Sequence, residues 1–443
     1  MVRTKRIVLI GAGSAAFGPV TLMDIFSSEI LFGSTIVLHD INKEKLERVY
    51  DIVLKENEIS KYRFNIEQTL DRKSALKDAD FIICSIENGD RFLLRRQDNL
   101  IPRTHGSTEM MAENGGPGGF FHSARQIPEH IRIGQDIMTY CPNAFLIVYS
   151  NPVSRICLAL KRSIPGLKFV GLCHQIELLT KYHLSDMLNK EITEMKLTLG
   201  GLNHFGFLFR LEDLLTGKNL MPEFNAKCME YFQDKWDRFH FADLTFELYN
   251  RTGCFCYAGD NHVCEYLQIG SQYTKIEDIL DWLDKMESEN KAVNTWLKKY
   301  HKRLEKGRYP KKGIILNAHS EERGIPIIKA IITDSNSYEM AVNISNKGII
   351  DNLPQDLVIE CSGYVNREGI HGVKLGNISK SVAALLRIEA SIQDVCVEAI
   401  LNESKDLAIA CLAMDVNCKN FEMAEIIFKE MSQLQKKYLP NFK

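Results

Sequence analysis

A glycine-rich turn directly after an apolar run is the feature that most constrains how this chain can fold. The run at residues 6–10 reads RIVLI, and the turn at residues 11–16 reads GAGSAA. A short apolar run bounded by glycines is typical of a strand buried on both faces of a parallel sheet. The spacing GxGxxA matches the dinucleotide-binding fingerprint, whose glycines permit a tight turn and close approach to a pyrophosphate. The sequence therefore predicts an α/β protein with a cofactor site at this turn.

A carboxylate at the end of the next apolar run favours NAD over NADP. That run, TIVLH, ends at Asp40. An acidic side chain there would accept hydrogen bonds from the adenosine ribose and repel a 2′-phosphate. The candidate cofactor-binding residues are Gly11, Gly13, Ser14, Ala15 and Asp40. The alternative is a glycine turn followed by a solvated aspartate.

Apolar runs alternate with helix-capable segments through the first two hundred residues. Further runs occupy residues 81–85, 144–149 and 168–172. This alternation predicts a Rossmann-like, doubly wound parallel sheet. Beyond residue 200 the pattern is mixed, and helical spacing returns from Ser379 to about Lys436. We predict a Rossmann-like NAD-binding domain at residues 1–200, followed by an α+β domain for catalysis, substrate binding and oligomerisation at residues 201–443.

The charge balance argues against nucleic acid and membrane partners. The chain has 55 Lys+Arg and 57 Asp+Glu, which gives a net charge of −2. No positive field would gather a polyanion, and no run approaches the roughly 18 apolar residues that a membrane helix needs. The 12 cysteines are scattered without a CxxC motif, as is typical of reduced thiols. We expect a soluble, cytoplasmic protein with a small-molecule substrate.

Two segments offer ligands for a divalent metal. Cys173 and His174 follow the run at residues 168–172, just beyond the end of a predicted strand, where open α/β sheets bind ligands. His204 follows another strand-like run, Lys196–Leu199. A thiolate and an imidazole could hold one ion with open coordination positions. The alternatives are a buried cysteine with a core histidine, or a nucleophilic thiol.

Three further segments offer polar side chains to a ligand. The loop Glu113–Gly119 reads ENGGPGG, and Arg125 lies shortly after it. Its four glycines let the backbone wrap closely around a polar ligand. Asn151 ends a predicted strand and precedes a proline, so it faces the same sheet edge or caps a helix. Asp260, in YAGDNH, supplies a carboxylate beside a turn glycine or caps a helix.

The ordered set of motifs resembles glycoside hydrolase family 4, the NAD- and divalent-metal-dependent glycosidases, over almost the whole chain. The matching stretches are GAGSAAFG, ENGGPGGFFHSARQIP, YSNPVS, the tetrad CHQI, GLNHF, VNISNKGIIDNLP and VIE. AGDNHVCEY resembles the α-galacturonidase and α-glucosidase branch more than the 6-phosphoglycosidases, whose tetrads begin Cys-Asp or Cys-Asn. Two departures are the tetrad CHQI, where galacturonidases have Cys-His-Glu-Val, and Cys361-Ser362-Gly363 in place of a proline-containing sequence.

The resemblance implies a redox-neutral reaction on a sugar. NAD takes hydride from C3, a base removes the C2 proton, the aglycone leaves C1, water adds and the hydride returns. A divalent metal, Mn²⁺ in this family, polarises the oxygens at C2 and C3. The implied substrate is an unphosphorylated α-glycoside, most directly an α-galacturonide or related uronide, with α-glucosides, α-galactosides and α-glucuronides as alternatives. The resemblance also implies a homo-oligomer, a dimer or tetramer.

The resemblance carries roles onto individual residues. Cys173 and His204 match the metal ligands. Asn151 matches a residue that contacts substrate hydroxyls near the metal. His174 stands where phosphate-specific members place an acid aspartate, so it is the candidate for assisting the leaving group.

Three remaining roles concern proton abstraction and substrate binding. Asp260 is the candidate base at C2, with Tyr257 and His262 as alternatives. Arg125 and Glu113 are candidate substrate contacts. An arginine facing a uronate carboxylate would bind it with two parallel hydrogen bonds.

Two other function classes fit parts of the sequence. A lactate/malate-type dehydrogenase shares the glycine turn and an Asn-Pro after a strand, and would form NADH without a metal. A non-catalytic NAD-sensing regulator would use the tetrad structurally. Convergence of Cys173, His204, Asn151 and Asp260 argues against a sensor, which needs no such cluster.

Overall fold

One 12-stranded sheet forms the centre of the computed structural model. The structure describes residues 4–14, 18–60, 63–235, 237, 240–314, 320 and 322–443. The strands are β1 (Arg6–Ile10), β2 (Thr35–His39), β3 (Asn65–Thr69), β4 (Phe81–Cys84), β5 (Phe145–Val148), β6 (Lys168–Gly171), β7 (Met195–Leu202), β8 (Phe205–Asp213), β9 (Phe255–Cys256), β10 (Ser337–Ser345), β11 (Val358–Asn366) and β12 (Gly369–Gly372). Their order is β3-β2-β1-β4-β5-β6-β10-β11-β7-β8-β9, with β12 paired to β11.

The first six strands are parallel and confirm the predicted Rossmann-like, doubly wound architecture. Side chains of β1 alternate between two cores, with Ile7 and Leu9 on one face and Val8 and Ile10 on the other. Burying each of these side chains contributes about 1.5–3 kcal/mol, which is why the run is apolar throughout. The strand order reverses between β1 and β4, and open α/β sheets bind ligands at such a point.

The edge strand β3 is absent from the sequence-based prediction. Its sequence, NIEQT, has one apolar residue, Ile66, and that is the strand's only fully buried position. An edge strand needs little burial because it pairs on one side only.

Strands β10 and β11 come from the C-terminal half of the chain but lie between β6 and β7. β10 pairs with β6 at Asn343 and Gly171, and β11 pairs with β7 at Glu360 and Gly201. The predicted domain boundary at residue 200 falls inside β7, and one sheet runs across it. The division into two domains stays a prediction.

Helices cover both faces of the sheet. They are α1 (Gly18–Ser27), α2 (Lys43–Ile59), α3 (Arg72–Leu76), α4 (Arg91–Thr104), α5 (Gly116–Tyr140), α6 (Val153–Ser163), α7 (Gln175–Leu179), α8 (Ser185–Leu188), α9 (Met221–Asp234), α10 (Asp243–Thr252), α11 (Asp260–Val263), α12 (Gly270–Tyr273), α13 (Ile276–Glu305), α14 (Gly324–Thr333), α15 (Lys380–Leu401), α16 (Lys405–Met414) and α17 (Phe421–Leu434). The last three confirm the predicted C-terminal helical layer. Among the helices described, none combines the length and apolar character that crossing a membrane requires.

Candidate active site

The turn after β1 packs so tightly that two of its positions have no room for a side chain. Gly11 has φ +89°, and a Cβ there would lie 2.2 Å from the carbonyl oxygen of Ser85. The Gly13 amide donates a 2.8 Å hydrogen bond to Asp40 Oδ2, and a Cβ on Gly13 would lie 2.8 Å from the same oxygen. Asp40 Oδ1 accepts from the Asn42 amide. The carboxylate predicted to bind a ribose therefore lies directly beside the glycine turn.

The rest of the turn leads into α1. The Ser14 amide donates to the carbonyl oxygen of Gly11, and the Ser14 carbonyl accepts from the Gly18 amide. Ala15, the remaining candidate contact, lies outside the described residues. A bare backbone turn before a helix, at the reversal point of the sheet, fits a dinucleotide pyrophosphate.

Cys173 and His204, 31 residues apart in the sequence, meet in the structure with Sγ and Nε2 3.3 Å apart. Metal bonds of about 2.3 Å to sulfur and 2.0 Å to nitrogen place two such donors roughly 3.1–3.6 Å apart on one ion. Cys173 follows β6, and His204 lies in the turn between β7 and β8. His204 has φ +64°, a conformation that costs a non-glycine residue about 1–3 kcal/mol and is held only by its surroundings. The pair fits one cation.

Burial changes the pKa values of both Cys173 and His204. Burial lowers the pKa of His204 to about 4, so the imidazole is neutral at neutral pH and keeps a lone pair for a metal. Burial raises the pKa of the Cys173 thiol, and the Glu360 carboxylate adds to the rise. A nucleophilic cysteine needs a lowered pKa, whereas a protonated thiol can still exchange its proton for a cation. The raised pKa argues against a nucleophilic role for Cys173.

Glu113 and His262 extend the pair into a buried cluster. The rings of His204 and His262 have centroids 4.2 Å apart. Glu113 Oε2 lies 4.0 Å from His204 Nδ1 and 3.9 Å from His262 Nδ1. One ligand atom from each of these three residues lies within 4.8 Å of the others, so they too could hold a metal. Among the described residues, His262 Nδ1 has no hydrogen-bond partner although it is buried.

The other oxygen of Glu113 binds a buried arginine. Glu113 Oε1 accepts from Arg95 Nη2 at 2.6 Å, and Arg95 also donates to the carbonyl oxygen of Met111. Although burial opposes it, Arg95 holds the pKa of Glu113 well below its usual range. The sequence predicts a substrate contact for Glu113, and the structure places it between a guanidinium and two imidazoles. Arg95 is missed by sequence analysis, because an arginine on a charged helix carries no functional signal.

Arg125, the candidate for binding a uronate, is already paired with another carboxylate. Its Nη1 and Nη2 donate to the two oxygens of Asp98 at 3.0 and 2.6 Å, and Nη1 also donates to Gln435. Arg125 is 1% exposed and Asp98 is fully buried. Both terminal nitrogens of Arg125 are therefore occupied, while its Nε has no partner among the described residues. The substrate contact expected of Arg125 stays a prediction.

Asp260 caps a helix, which is the alternative that the sequence left open. Its Oδ2 accepts from the Leu244 amide at 2.9 Å, and its Oδ1 accepts from the amide and hydroxyl of Thr245 at 2.9 and 2.5 Å. These groups belong to the first turn of α10, where a carboxylate is stabilised by the free amides and the helix dipole. Both oxygens of Asp260 therefore face α10 and not an open ligand site.

His174 and Asn151 occupy the expected sheet edge with different surroundings. The His174 side chain is 65% exposed, and its Nδ1 lies 3.7 Å from Glu322 Oε1. Asn151 Oδ1 accepts from the Val153 amide at 3.4 Å, at the start of α6. The imidazole of His174 is therefore open to solvent, and Asn151 makes the helix contact that the sequence allowed.

Comparisons with known proteins place the chain in a family. The model of family 4 glycosyl hydrolases matches residues 6–190, and the model of their C-terminal domain matches residues 199–418. An α-glucosidase of Erwinia rhapontici is 35% identical, over 97% of this chain and 98% of that protein. An α-galacturonidase of Thermoanaerobacter italicus is 25% identical, over 98% and 97%.

Solved structures show the same fold. A 6-phospho-α-glucosidase from gut microorganisms, in complex with NAD and Mn²⁺, has a TM-score of 0.83 at 23% identity and covers 100% of both chains. The two family models together span most of this chain, and the α-glucosidase relative spans nearly all of it. The chain therefore belongs to family 4 of the glycosyl hydrolases and is a glycosidase.

Proposed function

We propose that this protein is an NAD- and divalent-metal-dependent glycosidase that cleaves an uncharged, unphosphorylated α-glycoside, with α-glucosides as the main substrates. The observation that carries this proposal is the 3.3 Å approach of Cys173 Sγ to His204 Nε2. It supplies a cation site in a chain whose glycine turn and Asp40 fit a dinucleotide. The family relationship makes a lactate/malate-type dehydrogenase the less favoured function.

Different residues of this chain are proposed to bind the dinucleotide, the cation and the sugar. When bound, NAD supplies a hydride acceptor for C3, and Mn²⁺ or a similar cation supplies a Lewis acid for the oxygens at C2 and C3. Gly11 and Gly13 leave the backbone bare for the pyrophosphate, and Asp40 selects the ribose hydroxyls. Cys173 and His204 hold the cation. Asn151 contacts the sugar hydroxyls.

Two histidines are proposed for the proton steps. His174, exposed at the sheet edge, protonates the leaving oxygen at C1. His262 removes the C2 proton, because its Nδ1 is buried without a partner among the described residues. Burial and the neighbouring His204 hold the pKa of His262 well below its usual value, and Glu113 Oε2, 3.9 Å away, opposes this shift. The lone pairs of Asp260 face α10. Sequence analysis proposed Asp260 as the base. The structure therefore gives less support to Asp260 in this role than to His262.

The pairing of the two buried arginines near the site supports a neutral sugar. A uronate or phosphate requires a cation with free donors. The guanidinium of Arg95 is paired with Glu113, and that of Arg125 is paired with Asp98. Ionised Glu113 would also repel an anionic sugar. The 35% identical α-glucosidase supports the same substrate class.

An α-galacturonide is the second candidate, which the motif AGDNHVCEY and the galacturonidase relatives favour. A panel of p-nitrophenyl α-glucoside, α-galactoside, α-galacturonide and 6-phospho-α-glucoside separates the two. We expect the highest kcat/KM on the α-glucoside, and activity that disappears when NAD or Mn²⁺ is omitted. A preference for the galacturonide would overturn the substrate assignment, and full activity without NAD and metal would overturn the mechanism.

We also propose the two-domain division near residue 200 and a homo-oligomer, a dimer or tetramer, as the functional form. Light scattering on the purified protein measures the oligomer directly. A monomer at assay concentration, with full activity, would contradict this part of the proposal.

A further inference from the structure

The two strands that lead to the cation pair are not neighbours in the sheet. Cys173 follows β6 and His204 follows β7, and β10 and β11 lie between these strands. Asn343 of β10 stands opposite Gly171 of β6, and Glu360 of β11 stands opposite Gly201 of β7. The distance between Cys173 and His204 therefore depends on the contacts that hold β10 against β6 and β11 against β7.

Glu360 supplies that connection. Its Oε1 accepts from Asn203 Nδ2 at 2.8 Å and from Asn343 Nδ2 at 3.1 Å, and its Oε2 accepts from the Tyr257 hydroxyl at 2.6 Å. Asn203 directly precedes His204. Asn343 Nδ2 also donates to the carbonyl oxygen of Gly171, two residues before Cys173. The Glu360 carboxylate thus connects the residue before His204 with the strand that contacts Gly171, near Cys173.

The charge of Glu360 has no counterpart in the described part of the chain. Its three partners are neutral donors, no lysine, arginine or histidine pairs with it there, and the residue is 1% exposed. Burying a carboxylate without a cation costs several kcal/mol, and burial raises the pKa of Glu360 accordingly. A divalent cation held by Cys173 and His204 would offset this cost, because Glu360 is hydrogen-bonded to Asn203 and Asn343, and these residues belong to or contact the segments that carry the two ligands.

We propose that Glu360 is a positioning residue for the cation: it fixes the Asn203–His204 turn against the segment before Cys173 and supplies a negative charge that the cation does not contact. Both of its oxygens already accept hydrogen bonds, so it acts through Asn203 and Asn343. This inference rests on the proposed function, because it presupposes a cation held by Cys173 and His204. It gives a role to Glu360 in the motif VIE and to Asn343 in the motif VNISNKGIIDNLP, for which sequence analysis proposes no role.

Glu360→Gln tests the inference because it keeps the shape of the side chain and removes its charge. Metal-free protein is titrated with Mn²⁺ alone, with unbound Mn²⁺ followed by electron paramagnetic resonance. Loss of a group that orients metal ligands costs about 10- to 100-fold in affinity, so we expect the Mn²⁺ dissociation constant to rise at least tenfold. NAD affinity, measured by fluorescence without metal, should stay within twofold. The matched control is Glu389→Gln, a carboxyl equally buried that pairs with Arg155.

A second titration uses Co²⁺, whose thiolate charge-transfer band reports Cys173 directly. Glu360→Gln should show this band only at Co²⁺ concentrations at least tenfold higher than wild type, whereas Cys173→Ser should lack it. If wild type itself lacks the band, the cation site of the proposed function fails. If wild type and Glu360→Gln titrate within twofold of each other, the positioning role of Glu360 is wrong and the cation site stands.

Tyr257→Phe provides a second route if Glu360→Gln does not fold. It removes one neutral donor to Glu360, and losing one hydrogen bond of this kind weakens binding by about two- to tenfold. An unchanged Mn²⁺ affinity in a folded Tyr257→Phe protein would overturn the inference, and a loss in that range would support it.

Discussion

Replacing Arg125 with glutamine separates a structural role of this arginine from a role in substrate binding. The substitution leaves the Asp98 carboxylate buried without its cation, and breaking a buried ion pair in this way costs about 3–5 kcal/mol. Unfolding entropy of about 2.1 cal/mol/K per residue amounts to roughly 0.9 kcal/mol/K for 443 residues unfolding as one unit. The expected decrease in Tm is therefore about 3–5 °C.

Differential scanning calorimetry measures this shift, and kinetics on p-nitrophenyl α-glucoside are recorded well below the transition. KM should remain within twofold of wild type, because the guanidinium is bound to Asp98 and not to a sugar. Arg132→Gln is the matched control: this residue lies on the same helix, α5, its side chain is 58% exposed, and its removal should lower Tm by less than about 1 °C. A large rise in KM for a galacturonide with an unchanged Tm would refute the structural assignment and restore Arg125 as a uronate ligand.

Four further predictions concern the site itself. Cys173→Ser should lower kcat at least 100-fold, with NAD affinity within twofold by calorimetric titration; wild-type turnover would remove Cys173 from the cation site. His262→Gln should slow exchange of the C2 proton with solvent deuterium by about 10²–10⁴-fold, and an unchanged exchange rate by NMR would exclude it as the base. Asp260→Asn should instead destabilise the fold by about 1–3 kcal/mol, because the amide nitrogen cannot accept the hydrogen bonds that one of the two Asp260 oxygens accepts from α10, while exchange at C2 continues; abolished exchange in a folded variant would return the base role to Asp260. The pKa of His204 is lowered from 6.5 to about 4, so at this residue the unfolded chain binds more protons between these values, and its contribution to the stability of the metal-free protein should decline as pH falls from 6.5 to 4; a Tm difference between wild type and His204→Gln that stays constant over that range would contradict the buried, neutral imidazole.

The parallel half of the sheet was predictable because its signal is local. The run RIVLI became β1 with the predicted ends, since a strand covered on both faces needs an apolar side chain at every position. The GxGxxA spacing found the turn at Gly11 and Gly13 for a similar reason, because the close contacts of that turn exclude side chains. Cys173 and His204 were paired through the family resemblance, and the structure brings them together.

The remaining features depend on contacts between distant parts of the chain. Nothing in residues 337–366 indicates that β10 and β11 insert between β6 and β7, because strand pairing leaves no local pattern. The family resemblance gave functional roles to Arg125 and Asp260, and these roles stay predictions. Their partners, Asp98 and the amides of α10, lie 27 and about 16 positions away, and only the fold reveals these contacts.

The insertion of β10 and β11 also orders the events of biosynthesis. Translation delivers the six parallel strands first. The neighbours that join β6 to β7 leave the ribosome only after residue 337 has been made. The thiol of Cys173 therefore waits for a distant segment before it gains its imidazole partner in the final geometry.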